Sequence, residues 1–383
     1  MRRSYLLALL VLVSSVSAGA QKLEVEFIGP RFNCSLLSLP MPLPAGADFR
    51  FRYGLADSRI GSTALSLRLG AGYEDEFLLR DAVTGDPISV EAAESSPMGG
   101  QRYQSPNVQW DFGVVQGLAK RDGENLVEAF ILYRGRLDLH DTSLPDGRFA
   151  DMRGLFSTSA IAGAAYLGVT RDSRRVMSGA AAEASAELSP SFANGSLGDS
   201  DFFRLNLQAE GYLPLASFGR PSDPSLNLFS LYLAGFASLD HAEGAAIPIY
   251  VLQGFGGREE HKSLGGSVRG YPSRGFDSGS KAVASAELRA LGPALFGVPW
   301  FMPLVSAFCD VGYYSGLPGA TTAAYSGSRG AFYSAGFGLQ ADIVDFAYLG
   351  FYAGWKFPGD DPVYERYGET DPFFVAFAFR LHF

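Results

Sequence analysis

Three groups in the second half of the sequence place charge where charge is costly. Val268–Arg269–Gly270–Tyr271 lies within the longest stretch without apolar alternation, 240–280. Glu287 follows in Ala286–Glu287–Leu288–Arg289, and Asp310 in Phe308–Cys309–Asp310–Val311–Gly312. Both carboxylates stand on the polar side of period-two segments, and antiparallel neighbours would bring them within reach of one another. Two carboxylates facing a confined space need a cation, and the planar guanidinium fork can bridge both by charge-assisted bonds. Arg269 is the candidate, because the glycines on both sides of it let the chain fold sharply inward. That chemistry is a mechanical latch, with gating as the functional alternative.

Bond-making chemistry has no comparable support. His140, His241, His261 and His382 are scattered, none with a partner at metal-ligand spacing. Ser278–Gly279–Ser280–Lys281 formally matches S-x-x-K but lacks its companion motifs. No G-x-S-x-G occurs, and Gly254–Phe255–Gly256–Gly257 has no lysine to serve a phosphate. The expectation is therefore no catalytic residue, no metal, no cofactor and no enzyme.

The elements that must position Arg269 and its partners are strands. In 203–213, Phe203, Leu205, Leu207, Ala209 and Leu213 alternate with Arg204, Asn206, Gln208, Glu210 and Tyr212. The same period of two recurs in 331–341, 347–357 and 373–383, the mark of side chains pointing to opposite faces. These runs reach about 10 residues or more, the length a tilted strand needs to cross a bilayer and longer than the ~5–6 of ordinary sandwich strands. Thirteen candidate strands fall between 47 and 383, with Leu23–Ile28 as a candidate extra one. Bacterial barrels carry an even number, so the expectation is an all-β, transmembrane antiparallel barrel of about 12–16 strands. Short turns such as Lys120–Glu124 and Thr170–Arg174 alternate with long stretches at 81–105, 139–156, 189–201, 240–280 and 358–371. The short ones read as periplasmic, the long ones as extracellular.

Composition agrees. The 383 residues are 47% hydrophobic and 13% aromatic but only 19% charged, below the ~25% usual in soluble domains. A net charge of −9 argues against nucleic acid as a partner. Arg2 and Arg3, the apolar run Tyr5–Val13 and Ala18–Gly19–Ala20 form a secretory signal peptide, residues 1–20. Residues 21–46 read as a short N-terminal periplasmic segment and 47–383 as the barrel, in the bacterial outer membrane.

Val268–Arg269–Gly270–Tyr271, Glu287–Leu288–Arg289 and Phe308–Cys309–Asp310–Val311–Gly312 resemble, in order and spacing, the BamA/TamA superfamily of outer-membrane barrels, the bacterial surface antigen family. The alternating C-terminal residues Phe377, Phe379, Leu381 and Phe383 are similar to the assembly signal of such barrels. The resemblance is specific over about 245–383. It implies sixteen strands, a long extracellular loop folded into the lumen on Arg269, and a role in inserting or translocating proteins or lipids. It also implies outer-membrane lipid around the chain and the barrel-assembly machinery for its own insertion. Residues 21–46 are too short for one of the family's POTRA domains, since folded domains rarely go below ~40 residues. A barrel-only member would then need a periplasmic partner to supply that role. The alternatives are a passive or gated channel, or a surface interaction protein, without assembly activity.

Overall fold

The computed structural model describes residues 23–35, 45–81, 87–88, 100–139, 156–171, 176–194, 200–219, 227–253, 256–258, 268–271, 278–293, 295, 301–315, 329–343, 347–357 and 372–382. Among these are fourteen long strands: β1 Leu23–Ser35, β2 Ala45–Asp57, β3 Ser62–Asp81, β4 Gly100–Arg121, β5 Glu124–Asp138, β6 Phe156–Leu167, β7 Met177–Ser189, β8 Asp201–Gly219, β9 Asn227–Ala246, β10 Ser280–Leu291, β11 Phe301–Ser315, β12 Arg329–Ile343, β13 Ala347–Phe357 and β14 Phe373–His382. Two-residue stretches, Pro87–Ile88 and Thr170–Arg171, add to β3 and β7.

Each long strand pairs antiparallel with the next in sequence, and β1 pairs with β14. The pairings therefore run right round without a helix, the arrangement by which strands can cross lipid. The outer face is apolar: Ile131 (69% exposed), Phe337 (63%) and Leu207 (52%) point away from the lumen. Such a belt is stable only against hydrocarbon. Aromatic pairs frame it, with Trp110–Phe156 and Trp355–Phe373 toward the long-loop end and Phe218–Phe229 toward the short-turn end.

Two expectations are corrected. The barrel begins at Leu23, not at residue 47: Leu23–Ile28 pairs with Tyr53–Asp48, so half of the segment read as periplasmic is the first strand. That strand is the one needed to make thirteen even. The resemblance implies sixteen strands; among the described residues there are fourteen long ones, several of them tall. β3, β4, β8 and β9 run 19–22 residues, about twice what a bilayer crossing needs.

The turns follow local chemistry. Asp122 and Gly123 both have positive φ (54° and 87°), the two-residue hairpin turn that Asp-Gly favours. Cys34 and Cys309 stand on β1 and β11, four strand spacings apart, or roughly 19 Å at ~4.8 Å per strand. That exceeds the ~7 Å limit for a disulfide, and Cys309 is a free thiol on the outer face. The leader, His140, His261 and Phe383 lie outside the described residues.

Candidate functional site

Alternation decides what points inward. On β10, Lys281, Val283, Ser285, Glu287, Arg289 and Leu291 face the lumen, and on β11 Phe308, Asp310, Gly312 and Tyr314 do. Ser285 is the Cα partner of Asp310 and Glu287 that of Phe308, so the two carboxylates sit diagonally across one strand pair. Both are sequestered, Glu287 1% and Asp310 0% exposed.

Arg269 drops between them. Its Nε and one terminal nitrogen donate to Asp310 Oδ2 and Oδ1 at 2.7 and 2.6 Å. The other terminal nitrogen donates to Glu287 Oε1 at 2.5 Å, and the backbone N–H of Arg269 donates to Asp310 Oδ2 at 3.0 Å. Burial alone would lower the pKa of this guanidinium, but Asp310 and Glu287 hold it raised, so it stays charged. Its face lies 3.7 Å from the centroid of Phe308, with Tyr352 at 5.3 Å, a cation–π cradle in a desolvated place. The second oxygen of Glu287 accepts from Arg289 at 2.6 Å, so Glu287 is held from both sides.

The flanking residues of the tetrapeptide set the tip. Val268 and Tyr271 are buried, and the Tyr271 N–H closes a turn on Val268 O at 3.2 Å. Tyr271 stacks on Phe332 (4.7 Å) and its hydroxyl donates to Tyr333 O at 3.2 Å. Gly270 has φ +88°, and a Cβ there would lie 2.4 Å from the Phe374 ring. Glycine is thus required twice, by backbone and by space. A Cβ on Gly312 would strike Phe332 and Val268, at 2.4 and 2.7 Å. Phe377 is on the outer face of β14, and Phe379 and Leu381 are Cα partners of Leu349 and Ala347 on β13.

The loop has a second anchor that the sequence reading missed. Arg258 donates to both oxygens of Glu183 on β7, at 2.7 and 3.1 Å, and lies 5.2 Å from the Phe130 ring centroid. Gly256 and Gly257, with φ of 93° and 118°, let it turn in. The signal was present: Glu183 and Glu187 are the only charges on the alanine-rich strand β7. Between the strands and this anchor lies a short helix, α2, Ile249–Gln253, after α1 at Ser191–Asn194. Lys281 donates to the carbonyls of Val251 and Leu252, and Arg204 to Gly257 O at 3.1 Å. The Tyr250 phenol lies 4.2 Å under Arg136, and burial pushes its pKa up to about 12, with Glu187 adding to the rise.

Behind this half of the loop the wall carries a row of alternating charge. Arg68, Asp111, Arg134, Glu187, Arg204, Asp240 and Lys281 come from β3, β4, β5, β7, β8, β9 and β10. Arg134 bonds Asp111 at 2.7 and 3.2 Å, and Arg204 bonds Asp240 at 2.8 and 2.6 Å. Arg68–Asp111, Arg134–Glu187, Arg204–Glu187 and Lys281–Asp240 are 3.6–3.8 Å contacts. Ser159 on β6 donates to Glu187 at 2.5 Å.

A barrel with an arginine tip drawn onto two wall carboxylates is the arrangement to compare. The structure of BamA from Haemophilus ducreyi lacking POTRA domains 1–3 aligns with a TM-score of 0.50 at 13% identity, covering 95% of this chain and 70% of that one. The chain has the BamA barrel fold. CdiB from Escherichia coli aligns with a TM-score of 0.49 at 14% identity (96% of this chain, 64% of that one), and CdiB from Acinetobacter baumannii with 0.47 at 10% (96% and 61%). No family profile and no curated protein sequence matches. The BamA likeness extends to β1, well beyond the segment 245–383 in which the motif residues lie.

Proposed function

We propose that this chain is an outer-membrane barrel that assists the insertion or translocation of proteins, opening laterally between β1 and β14 and working with partner proteins. The observation that carries this reading is the seam. β1 and β14 share six paired positions, broken between Ile28 and Arg31, whereas β8 and β9 share eighteen. The break falls at Gly29–Pro30; proline has no N–H to give the ladder. An edge freed at the seam can template another strand. The chemistry is non-covalent, so the reading is of a non-enzymatic protein. The plugged lumen argues against free solute flow at rest.

The test is a reversible seam lock. Asn33 and Ala378 are Cα partners, a spacing a disulfide accepts. In a strain depleted of the chain, we expect Asn33→Cys/Ala378→Cys (with Cys34→Ser and Cys309→Ser) to fail to restore outer-membrane barrels when oxidised, read by quantitative proteomics. Reduction should rescue it. Full rescue by the oxidised form, or no change in other barrels on depletion, overturns the reading.

A further inference from the structure

The short helix α1, which follows β7, lies against the lipid side of the wall. Alternation on β6 shows this. Ser157 meets the lumen residue Tyr250 at 3.3 Å and Ser159 donates to Glu187 at 2.5 Å, so Thr158 between them points outward. Yet Thr158 is only 1% exposed. What covers it is α1. The Thr158 hydroxyl donates to Asn194 Oδ1 at 3.1 Å and to Ala193 O at 3.4 Å, and the Thr158 N–H donates to Asn194 Oδ1 at 2.6 Å. Asn194 Nδ2 donates in turn to Ser200 O at 2.7 Å, which ties β6 to the start of β8 above the end of β7.

The side chain two residues earlier looks the other way. At 3.6 residues per turn, positions 192 and 194 stand about 200° apart. Asn194 is buried, and Phe192 is 86% exposed. Phe192 is thus held out from the wall by a turn that is itself fastened down. Register gives its height. Asn194 is bonded to Thr158, Thr158 is the Cα partner of Gly135, and Gly135 is that of Trp110. Helix α1 therefore stands in the row of Trp110, whose ring pair with Phe156 frames the apolar belt at the long-loop end. Just below, Leu188 and Phe203 are outward-facing Cα partners on β7 and β8. The apolar face of these strands leads up to Phe192.

We infer that Phe192 is a membrane anchor, seated at the boundary between headgroups and acyl chains in the extracellular leaflet. Apolar side chains of surface helices bury at that boundary, and aromatic belts mark it in barrels. The occupant follows from continuity: the belt below contacts hydrocarbon, and α1 lies on the same face at the belt's upper edge. Asn194 is the positioning residue, because its bonds fix which way the ring points. The anchor stands six strands from β1 and seven from β14, so it fixes the wall farthest from the seam. It rests on the belt and the turn alone and holds whether or not the seam opens.

The test puts a single tryptophan at the site, Phe192→Trp with Trp110→Phe, Trp300→Phe and Trp355→Phe, in the full chain held in phosphatidylcholine nanodiscs. We expect blue-shifted emission that iodide in the water barely quenches. Lipid brominated near the headgroup end of its chains should quench about twofold more than lipid brominated near the chain ends, as a shallow seat requires. Adding Asn194→Ala should shift the emission to the red and raise iodide quenching. Unchanged heat-modifiable migration verifies that the variants fold. Strong iodide quenching without a bromine effect puts the ring in water and overturns the inference, as does strongest quenching from the chain ends. Unchanged spectra on adding Asn194→Ala overturn the positioning role. A nitroxide on Phe192→Cys, in the Cys34→Ser/Cys309→Ser background, gives a second reading with every tryptophan in place. It should meet dissolved oxygen more readily than a water-soluble nickel complex, and the reverse order overturns the anchor.

Discussion

The two walls of the lumen hold the same loop by different means. From β3 to β10 the wall is a ladder of alternating charge in which each carboxylate lies between cations. From β12 to β14 it is small and aromatic: Gly336, Gly338, Gly354, Tyr352 and Phe374 face inward. A Cβ on Gly336 or Gly354 would lie 2.2 or 2.5 Å from a backbone carbonyl of the neighbouring strand. The charged wall ties strand to strand and the loop only adds to it. The glycine wall, next to the seam, is tied to β11 by the neutral hydrogen bond from Gln340 Nε2 to Ser306 Oγ at 3.1 Å, and the loop's Arg269 reaches it through Phe308 and Tyr352. Stiffness and movability are thus divided around one barrel, and the latch sits at their junction.

Breaking the latch should give the largest effect. Arg269→Ala strips the buried Asp310 of its guanidinium and leaves Glu287 with Arg289 alone, and removing one partner of a buried ion pair costs about 3–5 kcal/mol. We expect a clearly lower temperature of heat-modifiable migration together with raised conductance in planar bilayers. Arg269→Lys should fall between, since an ammonium cannot bridge two carboxylates in a plane. Unchanged migration and conductance in Arg269→Ala would remove the latch from the account. Glu187→Ala tests the other wall. It leaves Arg134 and Arg204 facing one another, so a loss of about 3 kcal/mol is expected. Conductance should stay at the resting level, because the loop keeps both arginine anchors. If Glu187→Ala opens the pore as Arg269→Ala does, the division between the walls is wrong.

Much of this was legible in the sequence, and the failures have physical causes. The lipid-facing strands announced themselves, because one face must be apolar: Phe203, Leu205 and Leu207 are exposed and Arg204 and Asn206 buried, as alternation requires. Arg269, Glu287 and Asp310 were legible because a charge on the lumen side of a strand demands a partner. The upper ends of tall strands were not. β9 was read as ending at 239 but continues to Ala246. Past Asp240 it rises out of the lipid, both faces meet polar surroundings, and the period of two fades. β1 was only half seen because Gly29–Pro30 interrupts its pattern. The Arg258–Glu183 pair joins positions 75 residues apart, and no local spacing announces such a partner.

Smaller effects sharpen the comparison. Arg258→Ala removes a bidentate pair from the charged wall, but Glu183 keeps 15% exposure and can recruit water. We expect a loss of about 1–2 kcal/mol, at the lower end of the cost of an unpaired buried charge, and a modest rise in conductance. Arg258 pairs with Glu183 on β7, and Arg269 with Glu287 and Asp310 on β10 and β11, so Arg258→Ala and Arg269→Ala should add within about 0.5 kcal/mol. A strongly less-than-additive double variant would mean that one anchor holds the whole loop.

Gly270→Ala should be the mildest of the latch variants. All four Arg269 bonds remain available, but alanine at φ +88° costs of order 1–2 kcal/mol. The new methyl also meets the Phe374 ring, and Phe374 stands on β14, the last strand of the seam. Strain at the tip is therefore passed to the glycine wall and not to the ladder. The expected readout is faster cross-linking of Asn33→Cys with Ala378→Cys, as β14 shifts, at nearly unchanged migration temperature. If the strain instead lowers thermal stability with no change at the seam, the tip and the seam are mechanically separate. The latch would then close the lumen alone.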